Sequence, residues 1–428
     1  MRTLRIRALS NERMYRRIYL WAFGALLLCL GAVQARLDAQ EFKLFDRTVQ
    51  VHGFASQGFV YTNDNNWLTM NTSEGSGAFT DFGLNMSTRL AERLRVGAQV
   101  YDRNLGQLGQ YHPSLDWAVA DYRFQRWLGF RGGKVKTELG LYTDSQDQDF
   151  VHTFALLPQS VYPTDLRDAT IAHLGGDVYG TVSVPHRLGD LSYTAYAGHR
   201  SDSIYSGYSY LFSQYAVYFK SYGGLQYGAD LRWTTPLKGL LIGGSRLNEN
   251  ITGKGVAINP SSTSLALFPY VESSKADWTN QFYGQYAVGR LKIDSEYRRY
   301  WRDQFIYGET SENTTDVRGW YVSGAYRICQ RLALGAYYSR YTIASIITGE
   351  LGPYYVDQTN TGLPANHIYD KVITARVDLN KFWNMKVEGH FMEGYGNSEY
   401  PDGFYPQVNI NEFKPNTNAL VLKTSFSF

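Results

Sequence analysis

Asp144, Asp147 and Asp149 crowd one short stretch, TDSQDQDF, and Arg95, Arg123, Arg131 and Lys134 stand upstream of it. Carboxylates this close together do one of three things. They sit on a solvated loop, they hold a divalent cation, or they present a negative field to a passing solute. Cationic side chains opposite them would complete a narrow waist of opposed charges, which orients dipolar solutes and disfavours apolar ones. Bond-making chemistry has less to work with. A hydrolase needs a nucleophile with a base in reach, but the eight histidines are scattered, with neither a G-x-S-x-G nor an H-E-x-x-H pattern. His390 shares a strand face with Glu388. His112, His152 and His367 fall in loops, His186 in a turn, and His52, His173 and His199 lie without an obvious partner. Gly-rich phosphate loops and Cys/His clusters are missing too, so the expectation is no enzyme, no metal and no cofactor.

The elements that would position those charges are strands. Segments of roughly ten residues alternate in polarity along the chain, and a strand turns successive side chains to opposite faces. Phe82, Leu84, Met86 and Leu90 face one way, and Asp81, Asn85, Ser87 and Arg89 the other. Leu94, Val96, Ala98 and Val100 oppose Arg95, Gln99, Tyr101 and Arg103; Leu291, Ile293 and Tyr297 oppose Lys292, Asp294, Glu296 and Arg298. Met385, Val387 and Phe391 oppose Lys386, Glu388 and His390. A soluble sandwich alternates as well, but its connections are of similar length at both ends. Here short turns, such as Ala91-Glu92-Arg93, Pro236–Gly239 and Cys329-Gln330-Arg331, alternate with long connections near residues 63–76, 104–114, 138–171, 201–222, 249–276, 303–316, 342–367 and 394–416. Eight long and seven short connections predict about sixteen antiparallel strands closed into a transmembrane β-barrel. Its polar faces would line a water-filled lumen, its apolar faces would meet lipid, and the long loops would be extracellular.

Composition fits that architecture. Tyr (35), Phe (22), Trp (9) and Gly (41) are abundant, as aromatic girdles and bending strands require. Residues 1–35 read as a Sec export signal: a basic region through Arg17, an apolar run Ile18–Val33 too short to span a membrane, and small residues at Val33-Gln34-Ala35. Its removal takes away six arginines and one glutamate and turns the formal charge from +3 to −2. That withdraws support for nucleic-acid binding. Cys329 alone would remain in the barrel, residues 36–428, so no intramolecular disulfide is expected.

The last residues, LVLKTSFSF, end on Phe428 after an alternating run. They resemble the closing strand of bacterial outer-membrane barrel proteins, whose terminal aromatic residue is read by the barrel-assembly machinery. Phe130–Tyr142 (FRGGKVKTELGLY), the aspartates after it, and LLPQSVYPTDLRD from Leu156 to Asp168 resemble the porin superfamily, and within it a group of proteobacterial porin-like proteins. The resemblance implies a third long loop folded into the pore, a homotrimer, and localisation in the outer membrane of a Gram-negative bacterium. It implies passive diffusion of small hydrophilic solutes, with Asp144, Asp147 and Asp149 on one side of a constriction and Arg95, Arg123, Arg131 and Lys134 on the other. The alternatives are a specific channel for anions or oligosaccharides and a non-channel barrel serving adhesion or hydrolysis. Phosphate-selective porins use cation ladders, to which Arg232, Arg246, Lys292, Arg298 and Arg302 could contribute, although Asp230, Asp294 and Glu296 share their faces. The same charges could equally brace the wall. Tyr337, Tyr338 and Tyr341, or Tyr205, Tyr208 and Tyr210, could form a sugar slide or serve as girdle and loop packing.

Overall fold

Wherever the sequence alternates, the backbone extends, and each strand pairs antiparallel with the next. The computed structural model describes residues 40–44, 47–258, 267–306, 311–349, 356–396 and 403–428. The chain divides into two units, Met1–Gln40 and Glu41–Phe428, and the barrel belongs to the second. The export signal expected over residues 1–35 lies outside the described residues.

Sixteen strand positions close the barrel. They are β1 (Arg47–Thr62), β2 (Ser76–Ala91), β3 (Leu94–Leu105), β4 (Ser114–Gln125), β5 (Leu128–Lys136), β6 (Ala172–Ser183), β7 (Asp190–Ser201) and β8 (Val217–Thr234). β9 (Leu240–Ile258) is followed by β10, formed by Leu267–Ser274 and Asp277–Val288 in succession along β9. Then come β11 (Leu291–Ile306), β12 (Ser311–Arg327), β13 (Leu332–Gly349), the two-part β14 (Val356–Gln358 and His367–Asp378), β15 (Trp383–Glu393) and β16 (Asn416–Ser427). β16 pairs with β1 from Ala419↔Thr62 to Ser427↔Phe54, so the sheet has no free edge. The backbones of Phe428 and Gly53 exchange two further hydrogen bonds, at 3.0 and 3.2 Å.

The short connections expected from the sequence are short here too, but three of the long connections contain extended stretches of strand. β9, β11, β12 and β13 run on into residues 249–276, 303–316 and 342–367 as paired ladders. Past the apolar belt the two faces lose their polarity contrast while backbone pairing continues, so periodicity alone ends those strands too early.

The two faces are chemically opposite. Outside, Phe82, Met86, Val100, Phe282, Val322, Ile373, Val387, Phe391 and Leu422 are all at least 40% exposed, a continuous apolar belt of the kind hydrocarbon covers. Inside, Gln99, Arg103, Asp230, Glu296, Lys386, Glu388 and Lys423 are buried by what fills the lumen. At the long-loop end that filling is apolar. Trp67 and Leu68 of the first loop, Leu211 and Phe212 of helix α1 (Gly207–Ser213), and Phe404 and Tyr405 of the eighth loop join one buried cluster with wall residues Phe79, Ile251 and Val421.

Candidate functional site

The third loop, residues 137–171, joins neighbouring strands β5 and β6, yet most of its partners lie across the barrel. Arg232 of β8 donates to the carbonyl of Gly140, and the Gly140 N–H donates to Ser245 of β9 at 2.9 Å. Gly140 has φ +89°, and a Cβ there would lie 1.9 Å from the Gln281 amide nitrogen, so glycine allows this close approach. On β11, Glu296 accepts from the Leu141 N–H (3.0 Å), the Tyr162 hydroxyl (2.7 Å), the Tyr321 hydroxyl (2.7 Å) and the Gln281 amide (2.8 Å). Tyr142 donates to Asp294 at 2.5 Å. On β15, Lys386 donates to the carbonyls of Asp149 and Phe154, and Glu388 accepts the N–H groups of Ala155 and Leu156 at 2.9 and 3.1 Å. Arg298 holds the Val161 carbonyl at 2.9 Å, and the loop then returns to β3 and β4. There Arg103 holds the Thr164 carbonyl, and Arg167 pairs with Asp116. Buried charges demand such partners, because an unpaired one costs far more than a bond contributes.

The seven charges singled out in the sequence divide into two sets. Asp147 pairs with Arg167 at 2.5 Å, inside the loop itself. Asp149 is buried between Lys386 (3.0 Å) and Lys423 (3.2 Å) and accepts from Ser425. Burial opposes its charge, but the two ammonium groups outweigh burial and hold its carboxyl below the ordinary range. These two acids are neutralised and do not face the basic group upstream. Asp144 does. It lines a polar cavity of about 380 Å³ with Arg95, Arg131, Lys134, Lys136 and Asp121. Arg123 stands below on β4, its guanidinium 5.8 Å from the Tyr179 ring. The three aspartates form no cation site; among the described residues no His, Cys, Asp or Glu cluster could hold a metal ion.

Beside Gly133, whose φ is +127°, Lys134 reaches the cavity as well. Its ammonium then meets the Leu115 carbonyl at 2.6 Å. Arg131 is braced by Asp177 (2.9 Å) and Glu138 (3.3 Å). Burial, reinforced by Asp144 and opposed by Arg131, pushes the Glu138 carboxyl up to about 7. Arg95 bonds Ser87 at 2.7 Å, leaving its charge open to the cavity.

The candidate cation ladder is not one. Arg232 and Arg298 hold loop carbonyls, Lys292 the Tyr142 hydroxyl, and Arg302 is buried with Glu272 and Asp277. Arg246 lies on the outer surface, because its neighbours Ser245 and Leu247 point inward. The tyrosines form no slide either: Tyr208, Tyr337 and Tyr341 are buried in packing, and Tyr338 stacks edge-on against Trp320. Both ring nitrogens of His390 go to carboxylates, Asp370 at 2.7 Å and Glu388 at 3.1 Å. Period two placed Glu296, Lys386, Glu388 and Lys423 in the lumen; their role as loop anchors had no local signal. Arg167 lies inside the stretch singled out, but nothing in its spacing couples it to Asp116.

No protein-family model matches the chain, and no curated protein matches it in sequence. Solved structures do. OmpT of Vibrio cholerae superposes with a TM-score of 0.55 at 12% identity, over 91% of this chain and 100% of that one. The outer membrane channel DcaP of Acinetobacter baumannii gives 0.51 at 13% identity, over 90% and 99%. An anion-selective porin from Comamonas acidovorans gives 0.52 at 9% identity, over 89% and 100%. At such identities the likeness carries the fold alone, and the fold is a sixteen-stranded barrel of the porin kind, distant in sequence from each of these proteins.

Proposed function

We propose that this chain is an outer-membrane channel for passive diffusion of small hydrophilic solutes, with a preference for anions. The observation that carries this reading is the asymmetry of the lumen. The third loop spends its acids Asp147 and Asp149 on buried cations, while the cavity beside β2–β5 keeps Arg95, Lys134 and Lys136 bonded only to a hydroxyl or to carbonyls. A solute moving there meets a positive field. Hydrolysis is disfavoured because His390, the most engaged histidine, has both nitrogens committed to carboxylates. The remaining parts of the reading are Sec export, insertion through recognition of the strand ending at Phe428, and assembly as a homotrimer in outer-membrane lipid.

Single-channel recording in planar bilayers tests the proposal. Stepwise conductance with a reversal potential on the anion side is expected. A protein that inserts but does not conduct would overturn it, and saturation by one solute would replace diffusion with a specific site.

A further inference from the structure

The outer surface of the barrel is apolar around its belt, but above the belt on β9–β14 it changes sign and composition. In one row across the strands, Arg246 stands beside Asn280, Asn280 beside Arg299, and Arg299 beside Arg318. One row nearer the belt, Trp320 stands beside Arg340, and Arg340 beside Tyr369. Lys371 lies exposed one further row down. Among the described residues the patch encloses a single carboxylate, Asp316, and that one is saturated. It accepts from Arg299 at 2.9 and 3.0 Å and from Arg318 at 2.7 and 3.1 Å. Asp303 and Glu393 stand at its margin.

Rings hold the guanidinium groups in place. Trp278 and Trp301 lie parallel, 7° apart, with Arg246 4.9 Å and Arg299 5.4 Å from the Trp278 ring. Arg340 lies 4.2 Å over Tyr369 and donates to its hydroxyl. Among the described residues, Arg246, Arg299, Arg318 and Arg340 each keep one terminal nitrogen without a partner, and Lys371 makes no hydrogen bond. Just below stand Phe282, Tyr297 and Val322, all exposed. A surface made only for hydrocarbon would carry no such excess of cations. Rigid guanidinium forks match phosphate oxygens, and apolar rings beneath them match acyl chains.

We infer that this patch binds the phosphate-bearing headgroup of an anionic lipid in the leaflet on the long-loop side, with its acyl chains lying on the belt below. The full-length protein, purified in mild detergent, is titrated by native mass spectrometry with a bisphosphorylated hexaacyl diglucosamine lipid and with the same lipid dephosphorylated. The phosphorylated form is expected to bind about tenfold tighter. The triple variant Arg246→Gln, Arg318→Gln, Arg340→Gln leaves the Arg299–Asp316 pair intact and should lose that margin, whereas Lys238→Gln at a short turn should keep it. Equal binding of the two lipids by the wild type would overturn the proposal even if the triple variant failed to fold. So would a folded triple variant that still discriminates, or a patch protected by a second copy of the chain rather than by lipid.

Discussion

Two walls of one lumen treat charge in opposite ways. The wall of β11 to β16 uses Glu296, Lys386, Glu388 and Lys423 as hydrogen-bonding anchors, every one of them buried and directed at the third loop or at its acids. The wall of β2–β5 leaves Arg95, Lys134 and Lys136 bordering open space, bonded only to a serine hydroxyl or to carbonyls. The same residue types thus do mechanical work on one side and set a field on the other. What separates them is whether a loop residue arrives to share the charge.

The largest test of that contrast is Glu296→Ala. It strips four donors of their acceptor, and each hydrogen bond to a charged group contributes about 1.5–3 kcal/mol. The loop should leave the wall, and single-channel conductance should rise severalfold. An unchanged conductance would mean that the loop is held elsewhere. Next in size is the apolar mouth. Replacing Phe404 and Tyr405 by alanine removes two fully buried rings and the Tyr405–Asp165 bond, and should raise solute flux into liposomes about twofold or more, by the large-to-small logic of buried rings. Equal flux would show that solutes bypass this cluster.

A charge exchange sharpens the comparison further. Arg95→Gln with Lys136→Gln should move the reversal potential toward cations, whereas Lys423→Gln, which removes a cation already paired with Asp149 and Asp81, should leave it in place and loosen the loop. Equal shifts from both would erase the distinction between the walls. The smallest expected effect is in pH. Burial, opposed by the bond to the Ser145 carbonyl, pushes His152 down to about 4. Its ordinary value is near 6.5, so the free loop takes a proton that the seated loop refuses. The seat therefore weakens as pH falls from about 6.5 toward 4 and is unaffected by this group above that window. His152→Asn should remove that part of the acid dependence, read as conductance noise or as protease access to the third loop.

The belt was legible because period two needs only neighbours in sequence: Phe82, Leu84 and Met86 declare their face without any knowledge of the partner strand. So did the short turns, whose residues lie together. The loop anchors were not, because Leu141 and Glu296 are 155 residues apart and no local spacing announces the pair. Lys134 and Arg246 show two further limits. Lys134 borders the cavity although counting by twos from Arg131 puts it on the other face, and Arg246 lies above the belt, where an arginine no longer marks the inner face.

The contact between Asp149 and the closing strand has a consequence for assembly. Ser425 and Asp149 are 276 residues apart, and Lys423 reaches the same carboxylate. That cluster cannot form until β16 has arrived beside β1. The loop is therefore seated in the event that seals the barrel, and contacts of such long range form late and slowly. Damage to Asp149 should appear first as unsealed protein awaiting insertion, before any change in what the finished barrel conducts.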